Sequence, residues 1–170
     1  GWAKYKDLNG DGTINAEDYT IIGRGLPIHI GGFSNNFSYH NFDLNIFLQW
    51  SYGNNIVNAN RIIFESPAEV TSRNLYATMA NRWSPTNQNT DIPVGIATNY
   101  LGYNSRVIED GSFLRLKTIS LGYNVSPSVL KKISLSALRV YATAQNIHTW
   151  TNYSGTDPEV STRNTVQSPG

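Results

Sequence analysis

The densest run of metal-type oxygens is Asp7-Leu8-Asn9-Gly10-Asp11-Gly12-Thr13-Ile14-Asn15, continuing to Asp18. Taken as a calcium loop of about 12 residues, it places Asp7, Asn9 and Asp11 at the first, third and fifth ligand places. Gly12 then falls at the sharp turn, followed by the Thr13 carbonyl, Asn15 and, at the closing place, Asp18. Calcium is a hard cation that takes carboxylate and carbonyl oxygens, and these acids supply them. Asp18 stands where a longer Glu is usual, which weakens the site. An Asx-rich turn that binds nothing has the same composition. Both readings stay open, and in either the role is structural.

No other cluster points to chemistry. His29, His40 and His148 fall on separate strands or turns, none in metal-ligand spacing. There is no nucleophile elbow, phosphate loop or dinucleotide motif, so no enzyme is expected. Asp157 and Glu159 flank Pro158 as neighbouring carboxylates, and a solvated loop is their expected setting. Cysteine is absent, which excludes disulfides and thiol nucleophiles. A net charge of +1 gives nucleic acid nothing to recognise.

The elements that position these residues read as strands. Residues 42–50 alternate, with Phe42, Leu44, Ile46, Leu48 and Trp50 on one face and Asp43, Asn45 and Gln49 on the other; Phe47 breaks the pattern. Residues 28–39 form its partner through a tight turn at His40-Asn41. Residues 112–125 alternate from Ile119 onward, and the irregular stretch 113–117 predicts a bulge or a departure from the membrane zone. A fourth strand covers 137–149, with Leu138, Val140, Ala142 and Ala144 opposite Arg139, Tyr141, Thr143 and Gln145; Ser126–Lys132 supplies the turn before it. The chain thus divides into a calcium-type loop (1–27), a hairpin (28–52), a long loop without strand alternation (53–111), a second hairpin (112–149) and a last loop (150–170). One short helix is expected in the long loop. It starts at the capping box Ser66-Pro67-Ala68-Glu69, shows Val70, Leu75, Met79 and Trp83 on its apolar face, and stops at Pro85.

A connection as long as 53–111 is abnormal in a compact soluble domain and ordinary outside a barrel. No run of about 18 apolar residues is present for a membrane helix. Alternating strands, short turns at one end, long loops at the other and 10 Tyr, 6 Phe and 4 Trp describe an antiparallel transmembrane β-barrel fragment of about four strands. Trp50 and Trp150 fall at the long-loop end, where an aromatic girdle belongs. A soluble β-sandwich with one decorated loop fits the alternation equally well.

Five segments, collinear and covering nearly the whole chain, favour the barrel. Tyr5-Lys6-Asp7-Leu8-Asn9-Gly10-Asp11-Gly12 with Thr20-Ile21-Ile22-Gly23 resembles the "YKDLNGDGxI…TIIG" stretch of SusC/RagA-type TonB-dependent transporters. Phe42–Gln49 with Tyr52-Gly53-Asn54 is similar to the strand and loop entry that follow there. Arg82-Trp83-Ser84-Pro85 with Asn89-Thr90-Asp91-Ile92-Pro93 resembles the loop element "RWTPxNxxTDIP". Glu109–Lys117 with Leu121-Gly122-Tyr123 resembles "EDGSYLRLKNLTLGY". Leu138–Tyr141, Gln145-Asn146 and Thr149-Trp150, then Tyr153–Val160, resemble "LRVYxxGQNLFTWT" and its sequel. Family members add one further strand, whereas this chain stops at Ser168-Pro169-Gly170 and begins in mid-loop, so it is expected to be a fragment from the C-terminal part of the barrel.

The resemblance implies an all-β outer-membrane barrel of about 22 strands around an N-terminal plug. It implies a SusD-like surface lipoprotein as lid, TonB acting on the plug, and oligosaccharide or peptide cargo. The expected role is one part of that transporter's wall and external loops, set in the lipid bilayer. The competing expectation is a soluble, calcium-stabilised β-domain that binds carbohydrate or a protein partner. A barrel shows Phe42, Leu44, Ile46 and Leu48 to lipid; a sandwich buries them. Asp43, Asn45, Gln49, Arg139, Thr143 and Gln145 would line the lumen. Trp83, Tyr100 and Tyr103 are candidates to stack on sugar or pack on the lid, with simple loop packing as the plainer alternative.

Overall fold

Four strands dominate the computed structural model, which describes residues 4–65, 74–94 and 104–159. They are β1 (His29–Tyr39), β2 (Phe42–Tyr52), β5 (Phe113–Asn124) and β6 (Arg139–Thr151). Two short strands, β3 (Asn55–Val57) and β4 (Ile108–Asp110), and two short helices, α1 (Ala59–Phe64) and α2 (Pro127–Lys132), join them, with 3-10 turns at Ala16–Asp18, Ala77–Asn81 and Ser105–Val107. The chain divides into two compact units, Gly1–Arg24 with Asn55–Glu109 and Gly25–Asn54 with Asp110–Gly170.

In the second unit the sheet order is β1-β2-β5-β6, and each neighbouring pair is antiparallel. His40 takes the left-handed conformation, φ 50°, to close the turn from β1 to β2. Side chains alternate across the pleat, so register assigns faces. Phe37, Leu44, Leu121 and Ala142 lie in one row of the apolar face; Asn36, Asn45, Ser120 and Thr143 lie in the next row, on the polar face. The apolar face remains open, with Phe33 53%, Phe37 52% and Val140 57% exposed. A sandwich would have buried it.

Phe47, the break in the apolar pattern, finds its place over a glycine. A Cβ added at Gly32 would meet the Phe47 ring, and one added at Gly31 would meet Trp50. Two adjacent glycines of β1 thus receive aromatic rings of β2 on opposite faces. The irregularity expected in 113–117 is a bulge: register shifts between Leu116 and Thr118 on β5, opposite Asn146, whose φ is 49°.

The long connection departs from expectation in three ways. It does contain strands, because β3 and β4 at its two ends pair as a two-stranded sheet. Among the described residues it holds a further helix, α1, ahead of the expected one, whose capping box at 66–69 and Val70 lie outside the described residues. Further on, Leu75 precedes a 3-10 turn at Ala77–Asn81 that buries Met79. The Ser126–Lys132 turn is likewise helical, as α2. Pro127 fits there because the first helical turn needs no N–H from it.

In the first unit, charged groups link α1 and its C-cap to residues 106–109. Arg61 bridges Glu65 at 3.1 Å and Glu109 at 3.2 Å, and Arg106 lies 3.3 Å from Glu65. Burial alone would lower the Arg61 pKa, but the Glu65 carboxylate, then Glu109, raises it above its usual value.

Candidate functional site

Three places in the chain concentrate chemistry: the 7–18 loop, the polar face of the large sheet, and a buried arginine at one end of that face.

Gly10 and Gly12 sit at φ 79° and 82°, a conformation costly for any residue with a Cβ. The loop can therefore curl around Asp7, whose carboxylate accepts from the Gly10 N–H at 2.6 Å and the Gly12 N–H at 2.8 Å. Asn9 accepts from the Asp11 N–H, and Asp11 from the Thr13 N–H. Asn15 and Asp18 form a reciprocal capping box around a 3-10 turn at Ala16–Asp18. Asp18 also accepts from the Leu8 N–H at 2.7 Å, tying the end of the loop to its start. The N–H groups of Asn15, then Leu8, hold its carboxyl below the ordinary carboxylate range. Asp7, Asn9, Asp11, Thr13, Asn15 and Asp18 thus share one loop built of Asx turns. Among the described residues, no group of three or more His, Asp or Glu is arranged to hold a metal ion.

The polar face is cross-linked from strand to strand. Asn45 donates to Asn36 at 2.6 Å and to Ser34 at 3.3 Å, and Ser120 and Thr143 share a hydrogen bond of 2.9 Å. Arg139 on β6 reaches Asp43 on β2 at 2.7 Å, passing over Gly122 of the strand between them. A Cβ at Gly122 would lie 2.7 Å from both partners. Gln145 faces the same side, opposite Thr118. Of the aromatic loop candidates, Trp83 lines an open cleft of about 800 Å³ with Tyr5, Tyr19 and Arg106. Tyr100 and Tyr103 lie outside the described residues.

The third place corrects the expectation of a solvated loop at 157–159. Arg115 is 5% exposed, and its guanidinium lies 2.6 Å from Asp157 and 2.6 Å from Glu159. Gln49 on β2 donates to Glu159 at 2.9 Å, and Lys117 stands 3.9 Å from it. The Arg115 Nε is buried with no partner among the described residues. Burial pushes the Asp157 pKa up, but the Glu159 N–H and then Arg115 hold it below its ordinary value. Nothing local in the sequence announces this cluster. The one hint is a lone arginine in an otherwise apolar strand start, Phe113-Leu114-Arg115-Leu116.

No protein-family model matches the chain. It is 43% identical over 164 residues to TonB-dependent receptor P3 of Formosa agariphila, a match that covers 96% of this chain and 16% of that protein. It is 29% identical over 158 residues to TonB-dependent receptor SusC of Bacteroides thetaiotaomicron, covering 92% of this chain and 15% of the relative. Among solved structures, the RagAB peptide importer in its "open-open" state superposes with a TM-score of 0.75 at 28% identity, over 86% of this chain and 16% of the other. The chain therefore spans about one sixth of the length of the proteins it matches.

Proposed function

We propose that this chain, related in sequence and fold over nearly its whole length to SusC/RagA-type TonB-dependent receptors, is part of the wall and external loops of an outer-membrane nutrient transporter. One observation carries this most directly: a strictly sequential antiparallel sheet with one open apolar face and one hydrogen-bonded polar face. A barrel wall has that two-sidedness, lipid outside and a polar lumen inside. Among the described residues no helix is long and apolar enough to cross a membrane, a fact that says nothing of strands.

In this function the wall belongs to an active importer of oligosaccharides or peptides. A SusD-like surface lipoprotein covers it, and TonB energises it through a plug elsewhere in the protein. The chain's own part is passive: it supplies a wall, a lumen surface and loops that meet cargo and lid, not catalysis. The 7–18 loop carries structural calcium. Its oxygens are hard, its glycines sit where the loop must turn, and each carboxylate oxygen bonded to one N–H keeps a second lone pair for a cation. Bound calcium would neutralise the acids and stiffen the loop.

Sidedness tests the wall. Outer-membrane barrels keep short turns on the periplasmic side and long loops outside. Cysteines replacing Gln88 and Ser128 in the full transporter should report this, since the chain has no cysteine of its own. An impermeant thiol reagent applied to intact cells should label position 88 and spare 128. Labelling of 128 alone would invert the topology and remove the loops from the substrate side.

A further inference from the structure

Past the end of β6 the chain does not lead away from the sheet. Thr151 donates to the Ser112 carbonyl at 2.8 Å, and the Tyr153 N–H returns to the Thr151 hydroxyl. The segment then crosses the polar face. Asp157 and Glu159 meet Arg115 on β5, and Glu159 meets Gln49 on β2, two strands from where the segment began. Adjacent strands lie about 4.8 Å apart, so the crossing covers about 10 Å of sheet. The Glu159 N–H donates to Asp157 at 2.8 Å, which sets both carboxylates toward one guanidinium. Burial records the cover: Phe113 and Arg115 are buried on this face, while Leu114 between them is 40% exposed on the other.

We propose that residues 152–159 form a fixed strap across the lumen face at the long-loop end, clamped by Arg115, which sets the width of the passage at the outer mouth. Its place in the lumen rests on the wall function proposed above; the clamp itself does not. Arg115 is a positioning residue: it acts on the passage through the strap. A guanidinium suits the task because its planar fork serves two carboxylates at once, which a lysine ammonium does not.

Paired spin labels at Thr156 and Thr143 in the reconstituted full transporter test the clamp. With Arg115 in place the distance distribution should be single and narrow. Arg115→Gln should broaden it at least twofold. The double variant Asp157→Asn, Glu159→Gln should broaden it similarly while leaving the strand untouched, so it decides the matter if the arginine variant fails to assemble. An unchanged narrow distribution in the double variant would overturn the clamp. A second arm tests the face alone. A label at Thr143 should be more accessible to a water-soluble nickel chelate, and one at Ala142 to oxygen dissolved in lipid. The reverse result would overturn the placement in the lumen, whatever the distances show.

Discussion

Gly122 shows how one missing side chain lets two distant strands communicate. Asp43 and Arg139 belong to strands that are not neighbours, and they meet because nothing projects from the strand between. Gly122→Ala should separate them. The pair is substantially exposed, so the loss should be about 1 kcal/mol or less. Urea unfolding of the transporter in lipid should show it, and the penalty should shrink in an Arg139→Gln background where no pair remains to break. The turn-rich 7–18 loop was legible in the sequence as a spacing, because all of its Asx residues fall within one local segment. The partners of Arg115 were not, because they lie far along the chain and only register brings them together. For the 7–18 loop, calorimetry on the full transporter should give a calcium isotherm that Asp11→Ala abolishes; no heat from the wild type would leave a plain Asx-turn loop.

Among the elements, the long strands were legible wherever one face is apolar and the other polar. Period 2 marks them, and its failure in 113–117 marked the bulge. Short elements were not legible. β3 and β4 are three residues each, too brief for alternation to register. α1 has Asn58 at its N-cap but Arg61, not Glu or Gln, three residues on, so no capping box gave it away. The strap responds to pH at this scale. Asp157 is held below its ordinary value, so its contribution is complete above the unfolded carboxylate pKa of about 3.9 and is lost as pH falls through the lower folded value. The groups around it are Arg115 and Lys117 on β5, Gln49 on β2 and Glu159 on the strap itself. Label distances should therefore hold constant from neutral pH to about 4 and broaden only below it.

At the scale of the whole molecule, the sheet is unfinished as a water-soluble object. Among the described residues β1 and β6 each have one partner, and their outer edges carry unpaired backbone groups beside an open apolar face. Produced alone in plain buffer, these 170 residues should sediment as aggregates and show no cooperative melting. A monomer with a sharp transition would argue for the soluble β-domain instead.

The small β3–β4 pair at the base of the long connection bears on the order of assembly. Joining β2 to β5 means closing a loop from 53 to 112, and each doubling of loop length adds about 0.6 kcal/mol of entropy cost. If β3 zips to β4 first, the closure happens inside the connection. Gly53-Asn54 and Gly111-Ser112 then become the two sides of a short hairpin end, joined by the Gly111 N–H to the Asn54 carbonyl at 2.8 Å. A contact remote in sequence is thereby turned into a local one. The cost of closing the long loop then falls on the β3–β4 pair, and β2 and β5 zip onward from it as neighbours.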